Sequence, residues 1–289
     1  MRHIQLVSNA YKDPDLRITR HLAAALEQRD CQVSIEAAAS PQTGCLPGCD
    51  LLVSLGGDGT FLNAAHRAYA CDIPVLGINL GSLGFLAEVD RDEIDDAVER
   101  IAAGDYMLDE RLMLEVDCRD EAGRQKLHGY ALNEALLTRA GNPRIVPIEL
   151  WINDTYIELI AADGLMVSTP TGSTGYAMAC GGPILDPRLN ILQITPVAPH
   201  SLHDRSYIVP DTDRLTFRMR LYPEPALLTI DSREETPFRD SDEVHISKAE
   251  RPLKVAQLVE HNFFQELPEK LRGRAVPRNH KSEVKGESL

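Results

Sequence analysis

The stretch "LLVSLGGDGT", residues 51–60, ends an apolar run in three glycines that surround one aspartate. Glycine-rich turns between a strand and a helix commonly hold phosphate, because bare backbone N–H groups can approach an anion closely. An aspartate in such a turn would repel that phosphate. The pattern makes sense if Asp58 faces a hydroxyl group or a metal ion beside the phosphate, as a phosphotransferase that acts on an alcohol requires.

Two familiar phosphate-binding patterns do not fit this turn. The P-loop pattern needs a lysine, and residues 56–60 contain none. The dinucleotide pattern G-x-G-x-x-G, counted from Gly57, needs a third glycine where the chain has Leu62. The remaining alternative is a tight turn whose aspartate merely faces water. That alternative gives no reason for three glycines, each of which costs backbone entropy.

The sequence around the turn predicts a Rossmann-like α/β domain over residues 1–108. Apolar runs at 3–8, 50–55 and 73–79 are typical of buried strands, and the segments between strands have helical spacing. Such a pattern predicts a mostly parallel sheet between layers of helices. The glycine turn then lies at the carboxyl end of a strand, where open α/β sheets bind ligands.

From about residue 110 the runs become short and alternating, which predicts an all-β region, a β-sandwich domain over 109–258. Within it, "WINDTYIELI" predicts a hairpin with Asn153 and Asp154 near the turn. A helical pattern over 259–272 predicts a helix that returns to the α/β domain. The polar tail, 273–289, is expected to be flexible.

Composition restricts the possible partners. The 289 residues suffice for two domains, and their formal net charge is −14. Nucleic acid and anionic membranes both demand a basic face, so neither is expected as a partner. The N-terminus has no signal-peptide pattern and no apolar run could span a bilayer, which predicts a cytoplasmic protein. We interpret the six scattered cysteines as free thiols.

Two further segments carry candidate binding residues. Asn133 and Glu134 are adjacent polar residues inside the apolar run "YALNEALLT". They are candidates to bind ribose hydroxyls or amides, unless one of them simply points outward on an alternating strand. The segment 161–183 combines hydroxyl side chains with glycines, which suits contacts to a sugar, adenine or phosphate. It is not the nucleophile turn of a hydrolase, because Thr171 stands two residues before Ser173.

These segments, together with "GINLGSLGFL", "GGPI" and "PVAPHSLHDRSYIV", closely resemble the NAD kinase family across residues 3–273. "GGDGT" alone is shared with diacylglycerol-type lipid kinases and is similar in phosphofructokinases, whereas its combination with "NE" and "STPTGSTGY" is specific. The resemblance implies transfer of the ATP γ-phosphate to the 2′-hydroxyl of the adenosine ribose of NAD, giving NADP, with Mg²⁺ or another divalent cation. It also implies a homodimer or homotetramer, in which a neighbouring subunit supplies part of each NAD site.

The resemblance further implies the residues of the site. Asp58 would be catalytic, as the acceptor of the hydroxyl proton. The residues that would hold the ATP phosphates are Gly56, Gly57, Gly59 and Thr60. The residues that would contact NAD are Asp58, Gly59, Phe85, Asn133, Glu134, Arg144, Ala161, Asp163, Thr174, Gly175, Tyr176, Ala179, Ala198 and Arg233. No metal ligand from the protein is implied.

Three of these positions depart from the residues usual in the family. Ala161 stands where relatives often have arginine, and the loss of a cation there would relax discrimination between NAD⁺ and the uncharged nicotinamide of NADH. Ala179 replaces a frequent serine, and "IDSRE" around Arg233 replaces the usual Asp-Gly-Gln. Two other functions stay open at this point: a lipid or sugar kinase that shares the glycine–aspartate turn, and a non-catalytic NAD(P)-binding sensor.

Overall fold

The computed structural model describes residues 1–38, 44–81, 84–141, 144–200, 205–259 and 262–275. The first part of the chain alternates strands and helices, as the sequence predicts. The strands are β1 (His3–Asn9), β2 (Gln32–Ala38), β3 (Leu51–Gly56), β4 (Val75–Asn79), β5 (Val89–Asp90) and β6 (Met107–Arg111). The helices are α1 (Arg17–Glu27), α2 (Asp58–Cys71) and α3 (Ile94–Ala103).

In the second part of the chain, the regular secondary structure described is almost all strand. Its strands are β7 (Leu114–Arg119), β8 (Gln125–Ala131), β9 (Glu134–Arg139), β10 (Val146–Ile152), β11 (Thr155–Ala162), β12 (Gly164–Ser168), β13 (Ile191–Val197), β14 (Tyr207–Pro210), β15 (Leu215–Met219), β16 (Ala226–Ile230), β17 (Glu234–Phe238) and β18 (Glu243–Lys248). A short helix, α4 (Tyr176–Ala179), interrupts it. The chain then continues through β19 (Leu253–Gln257) to a last helix, α5 (Phe263–Ala275).

The first sheet has the strand order β2-β1-β3-β4-β19-β6, with β5 beside β4. Its pairings are parallel except for that of β19 with β6. Apolar residues of α1 and α3 cover one face of this sheet, while α2 packs on the other face through Phe61. This arrangement confirms the predicted three-layer α/β fold.

The all-β region forms two antiparallel sheets within the described residues. The orders of their strands are β11-β10-β15-β18-β7-β8 and β14-β13-β12-β9-β16-β17. One continuous apolar core fills the space between them, with Phe217, Phe238 and Leu165 fully buried. The β-sandwich is therefore confirmed.

Strand β19 lies inside the all-β domain predicted for residues 109–258 but does not pair with either of that domain's sheets. Leu253–Gln257 lies in the first sheet, parallel to β4 and antiparallel to β6. Leu253 and Val255 are buried on the face of that sheet that α2 covers, and Ala256 is buried on the opposite face. Alternation along a strand predicts that it is half buried but does not tell which of two sheets it joins. Of the tail predicted to be flexible, residues 276–289 lie outside the described part of the chain.

The predicted hairpin is confirmed. β10 and β11 pair with Ile152 opposite Thr155, so Asn153 and Asp154 form a two-residue turn. Both have left-handed backbone angles, with φ of 49° and 65°. Such angles at both positions give the turn the twist that the flanking strands need, and asparagine and aspartate tolerate them better than most residues. No helix in the part of the chain described here is long and apolar enough to cross a membrane.

The turn residue Asp154 provides a test of this local argument. Asp154→Gly should raise the free energy of unfolding by about 0.5 kcal/mol, because glycine adopts the left-handed conformation without steric cost. Asp154→Val should lower it by about 1–2 kcal/mol, because a branched side chain is strained there. Urea unfolding of the two variants measures the difference. Equal stability of the glycine and valine variants would contradict the turn assignment.

Candidate functional site

Asp58 is the first residue of α2, and only Gly57 separates it from the end of β3. Its carboxylate accepts hydrogen bonds from the backbone N–H groups of Phe85 and Leu86, each 3.2 Å long. These bonds tie the chain that follows β4 to the glycine turn that follows β3. The carboxylate is therefore held in one place at the carboxyl edge of the parallel sheet.

A cavity of about 160 Å³ adjoins this carboxylate. It brings together six of the residues predicted to lie at the site. They are Asp58, Gly59, Phe85, Asn133, Thr174 and Gly175. Leu62, Leu86 and Thr171 complete the lining. The walls come from both regions of the chain, so the cavity lies between the α/β layers and the sandwich, a common place for a ligand site.

A larger cavity of about 360 Å³ lies beside the first and shares Phe85, Leu86, Thr171 and Thr174 with it. Its far wall includes residues of α5 and β6. The helix predicted at the C-terminus therefore contributes to a cavity with the α/β region. Together the two adjacent cavities fall within the range of about 300–1,000 Å³ that is usual for small-molecule sites.

Asn133 and Glu134 lie at a break between two strands and not inside one strand. β8 ends at Ala131 and β9 begins at Glu134. The cause is the carboxylate of Asp231, which accepts the backbone N–H groups of Leu132 at 2.7 Å, Asn133 at 2.9 Å and Glu134 at 2.9 Å. Three successive N–H groups that point to one carboxylate cannot continue a regular ladder. The alternative with one residue pointing outward on a regular strand is thus wrong.

Asp231 also binds the helix that carries Asp58. Its Oδ2 lies 2.7 Å from Nε2 of His66, a residue of α2. The Asp231 side chain is fully buried and that of His66 is 11% exposed. One carboxylate therefore joins α2 in the first region to the Asn133 turn in the second.

Glu134 is a second buried acid, 8% exposed, and its Oε2 has no hydrogen-bond partner among the described residues. Burial, and after it the negative charge of Asp231, raise the pKa of Glu134 to about 7. A Cβ added to Gly175 would lie 3.5 Å from Oε2, so this oxygen sits just behind the cavity wall. Near neutral pH the group can either donate or accept a hydrogen bond there.

The segment around residues 169–175 is packed tightly against the Asn133 turn. The hydroxyl of Thr169 donates to the carbonyl of Leu132 at 2.5 Å and accepts from the N–H of Gly172 at 3.0 Å. A Cβ added to Gly172 would come within 2.1 Å of the carbonyl oxygen of Asn133. Only glycine permits this approach, which carries Thr174 and Gly175 to the cavity.

The remaining predicted NAD contacts lie elsewhere. Asp163 forms an ion pair of 3.1 Å with Arg139, and its N–H bonds to the carbonyl of Val197, next to Ala198. The carbonyl of Ala161 accepts the N–H of His200. Ala161, Asp163 and Ala198 therefore lie together where β11, β12 and β13 meet, outside the residues that line the Asp58 cavity.

Four other predicted residues also lie outside that lining. Arg144 and Arg233 are exposed, and Arg233 donates from Nε to the side chain of Asn63 at 2.7 Å. Tyr176, 44% exposed, and Ala179 belong to α4.

Of the residues predicted to hold ATP phosphates, Gly59 alone lines the Asp58 cavity. Gly56 and Gly57 form the turn before α2. The hydroxyl of Thr60 accepts a hydrogen bond of 2.9 Å from the Asn9 amide, so its position is fixed by the end of β1.

Comparison with known proteins decides the family. The profile of the ATP-NAD kinase N-terminal domain matches residues 42–106, and that of the ATP-NAD kinase C-terminal domain matches residues 132–258. The NAD kinase of Magnetococcus marinus is 36% identical over 284 residues, covering 94% of this chain and 93% of that protein. The chain belongs to the NAD kinase family. The NAD kinase of Heliobacterium modesticaldum is 38% identical over 282 residues, covering 94% and 99% of the two chains.

Membership of the NAD kinase family makes the chain an enzyme of the kinase class and confirms the resemblance carried by the sequence motifs. Solved structures of NAD kinases share its fold. Yeast NADH kinase complexed with NADH has a TM-score of 0.80 at 22% identity, covering 97% of this chain and 90% of that one. An NAD kinase from Archaeoglobus fulgidus in complex with ATP has a TM-score of 0.77 at 24% identity, covering 94% and 99%.

Sequence reasoning did not identify Asp231 and His66 as parts of the site. The motif "IDSRE" points only to a departure around Arg233. One feature of the sequence does indicate a role for Asp231: it directly follows the apolar run "ALLTI". An aspartate at the end of a buried strand needs a strong hydrogen-bond partner if its carboxylate is buried as well. Its partners are between 97 and 165 positions away along the chain, so no local pattern names them.

Removal of the Asp231 carboxylate should destabilise the protein severely. Asp231→Ala leaves two buried N–H groups, the part-buried N–H of Asn133 and the part-buried His66 ring without their acceptor, so we expect a loss of about 3–5 kcal/mol in the free energy of unfolding. Asp240→Ala, which changes an exposed acid at the opposite end of the β16–β17 hairpin, is the matched control and should stay within about 0.5 kcal/mol of the unchanged protein. Chemical unfolding compares the two variants. Similar losses in both would refute the role given to Asp231.

Glu134 should make stability fall as pH rises. Because its folded pKa of about 7 lies above the ordinary glutamate value of 4.5, the folded state retains a proton that the unfolded state has lost between these pH values. Stability from this group is therefore full below about pH 4.5 and is lost as pH rises to about 7. Glu134→Gln should remove this part of the slope. Unfolding free energies measured from pH 5 to 8 test it, and parallel curves for the two proteins would be inconsistent with the assignment.

Proposed function

We propose that the chain transfers the γ-phosphate of ATP to the 2′-hydroxyl of the adenosine ribose of NAD, giving NADP. The observation that carries this proposal is the position of Asp58. Its carboxylate belongs to the glycine turn, is fixed by two backbone N–H groups and adjoins a cavity lined by Asn133, Thr174 and Gly175. A phosphate donor on the turn and a sugar in the cavity would meet at this carboxylate.

The role proposed for Asp58 is to position the acceptor and take its proton. The carboxylate accepts the hydrogen bond of the 2′-hydroxyl and aims that oxygen at the γ-phosphorus. The O2′–P bond forms as the bond from the γ-phosphorus to the bridging oxygen breaks; the electron pair stays with ADP and the proton passes to Asp58. A carboxylate is a weak base for a sugar hydroxyl, but a loose transition state needs little activation of its nucleophile.

ATP is proposed as the donor, held by Gly56, Gly57, Gly59 and Thr60. The family's own description and the ATP complex of the Archaeoglobus fulgidus enzyme support this choice. Mg²⁺ or another divalent cation would neutralise charge on the phosphates, and at kinase sites it is bound mainly by those phosphates with one or two carboxylates. Asp58 fits the latter role. Among the described residues, no group of three or more His, Cys, Asp or Glu side chains is arranged to hold a metal ion.

The acceptor is proposed to be NAD or NADH. Its adenosine would contact Asp58, Gly59, Phe85, Asn133, Thr174 and Gly175, which line the cavity, with Glu134 behind them. We propose that the predicted contacts outside the cavity, including Ala161, Asp163 and Ala198, complete the site across a homodimer or homotetramer. Support for NADH as an acceptor comes from the NADH complex of the yeast enzyme and from the alanine at position 161. The cytoplasmic location stays a prediction from the sequence.

One incubation tests the activity. With NAD⁺ or NADH, Mg²⁺ and ATP, the chain should form NADP or NADPH, read with a dehydrogenase specific for NADP. Inorganic polyphosphate in place of ATP tests the donor. Binding of NAD without any NADP formation would support a sensor and contradict the proposed transfer, and phosphorylation of a lipid or free sugar instead would favour a different kinase.

Asp58→Asn tests the catalytic assignment. The amide retains one oxygen acceptor and nearly the same shape, so fold and most NAD affinity should persist. Turnover should fall by about 10²-fold or more, since the variant cannot take the hydroxyl proton. Calorimetry for NAD and steady-state turnover provide the two measurements. Turnover close to that of the unchanged protein would overturn the assignment.

A further inference from the structure

Lys12 lies beside the glycine turn although it is far upstream in the sequence. It follows β1, which pairs in parallel with β3, so the ends of both strands reach the same edge of the sheet. The side-chain oxygen of Asn9 accepts the N–H groups of Tyr11 at 3.0 Å and Lys12 at 3.2 Å. The Asn9 amide donates to Thr60 at 2.9 Å. The loop that carries Lys12 is thus fixed to the glycine turn.

The ammonium group occupies space that two glycines leave open. A Cβ added to Gly57 would lie 2.6 Å from Nζ of Lys12, and one added to Gly81 would lie 2.8 Å from it. Both distances are shorter than van der Waals contact. The ammonium therefore sits between the turn after β3 and the chain after β4, against the residue that directly precedes Asp58.

The charge of Lys12 has no carboxylate partner among the described residues. Its ammonium makes one hydrogen bond there, to the carbonyl of Gly56, and that bond is long at 3.5 Å. The adjacent carboxylate of Asp13 is turned toward α1, where it accepts hydrogen bonds from Ile18 and Thr19. The chain has 44 acidic and 30 basic side chains, so carboxylates are abundant. Lys12 is an exposed residue whose ammonium solvent can satisfy in the free protein; its position against the glycine turn is what makes the ammonium available to an anionic ligand there.

We propose that Lys12 binds the terminal phosphates of the donor. This inference rests on the proposed function and adds to it a residue for the donor. The ammonium can donate three hydrogen bonds to phosphate oxygens, and charge-assisted bonds of this kind are the strong ones. It lies next to the turn that presents Asp58, so the carboxylate meets the hydroxyl while the ammonium offsets the charge of the incoming phosphate. Lys12 thereby supplies the lysine that residues 56–60 lack.

Kinetics distinguish a donor contact from a structural role. In Lys12→Met, kcat/KM for ATP should fall by about tenfold or more, while KM for NAD should stay within about twofold. Lys12→Arg keeps the charge and should recover most of the loss. The matched control is Lys254→Met, because Lys254 pairs with Asp72 at 2.9 Å at the opposite edge of the sheet; both kinetic constants should be unchanged. Equal effects of Lys12→Met on ATP and NAD, or none, would overturn the inference.

Direct binding separates this inference from the proposed activity. Inorganic tripolyphosphate with Mg²⁺, titrated by calorimetry into the unchanged protein, needs no turnover. We expect binding that Lys12→Met weakens by about tenfold or more and that Lys254→Met does not change. If the chain forms no NADP but tripolyphosphate binds in this pattern, the transfer proposal fails and the Lys12 site stands. If tripolyphosphate binds the unchanged protein and Lys12→Met equally, or if it binds neither protein, the Lys12 site is refuted whether or not the chain forms NADP.

Discussion

The carboxylate of Asp231 is the constraint on which the geometry of the site depends. A fully buried charge costs several kcal/mol unless strong hydrogen bonds offset it. Here three consecutive backbone N–H groups and the ring of His66 all point to the one carboxylate. Because His66 belongs to α2, the same bonds that stabilise the charge set the distance between the Asp58 helix and the Asn133 turn. The cavity between them is a consequence of that distance.

The two buried acids of this region, Asp231 and Glu134, differ in the hydrogen bonds that their carboxylates accept. Asp231 takes the available N–H donors, while Oε2 of Glu134 has none among the described residues. Burial and the neighbouring charge then favour the protonated form of Glu134 and raise its pKa to about 7. A buried carboxyl group with an unpaired oxygen and a raised pKa lowers stability, and such groups are commonly found at functional sites. Satisfying one carboxylate completely therefore leaves the other ready to interact with a ligand.

Local pattern predicted those features that depend on neighbours in the sequence. The buried strands, the glycine turn and the Asn153–Asp154 hairpin each follow from residues within a few positions of one another. The break between β8 and β9, the sheet joined by β19 and the placement of Lys12 do not. Each depends on a partner far along the chain: Asp231 for the break, β4 and β6 for β19, and Asn9 with Thr60 for Lys12. The sequence thus predicts a set of candidate residues, six of which the fold brings to one cavity, whereas the supports that arrange them could be found only in the fold.

The net charge of −14 poses a further question, because the proposed substrates are all anions. At physiological salt a charge is screened within about 8 Å, so most surface carboxylates have little influence at the glycine turn. What decides binding is the charge within that radius. There the turn offers backbone N–H groups and the Lys12 ammonium, while Asp13 is engaged with Thr19 and points away. An acidic protein can therefore hold a polyphosphate beside a carboxylate, provided that the positive group lies on the phosphate side and the carboxylate on the hydroxyl side.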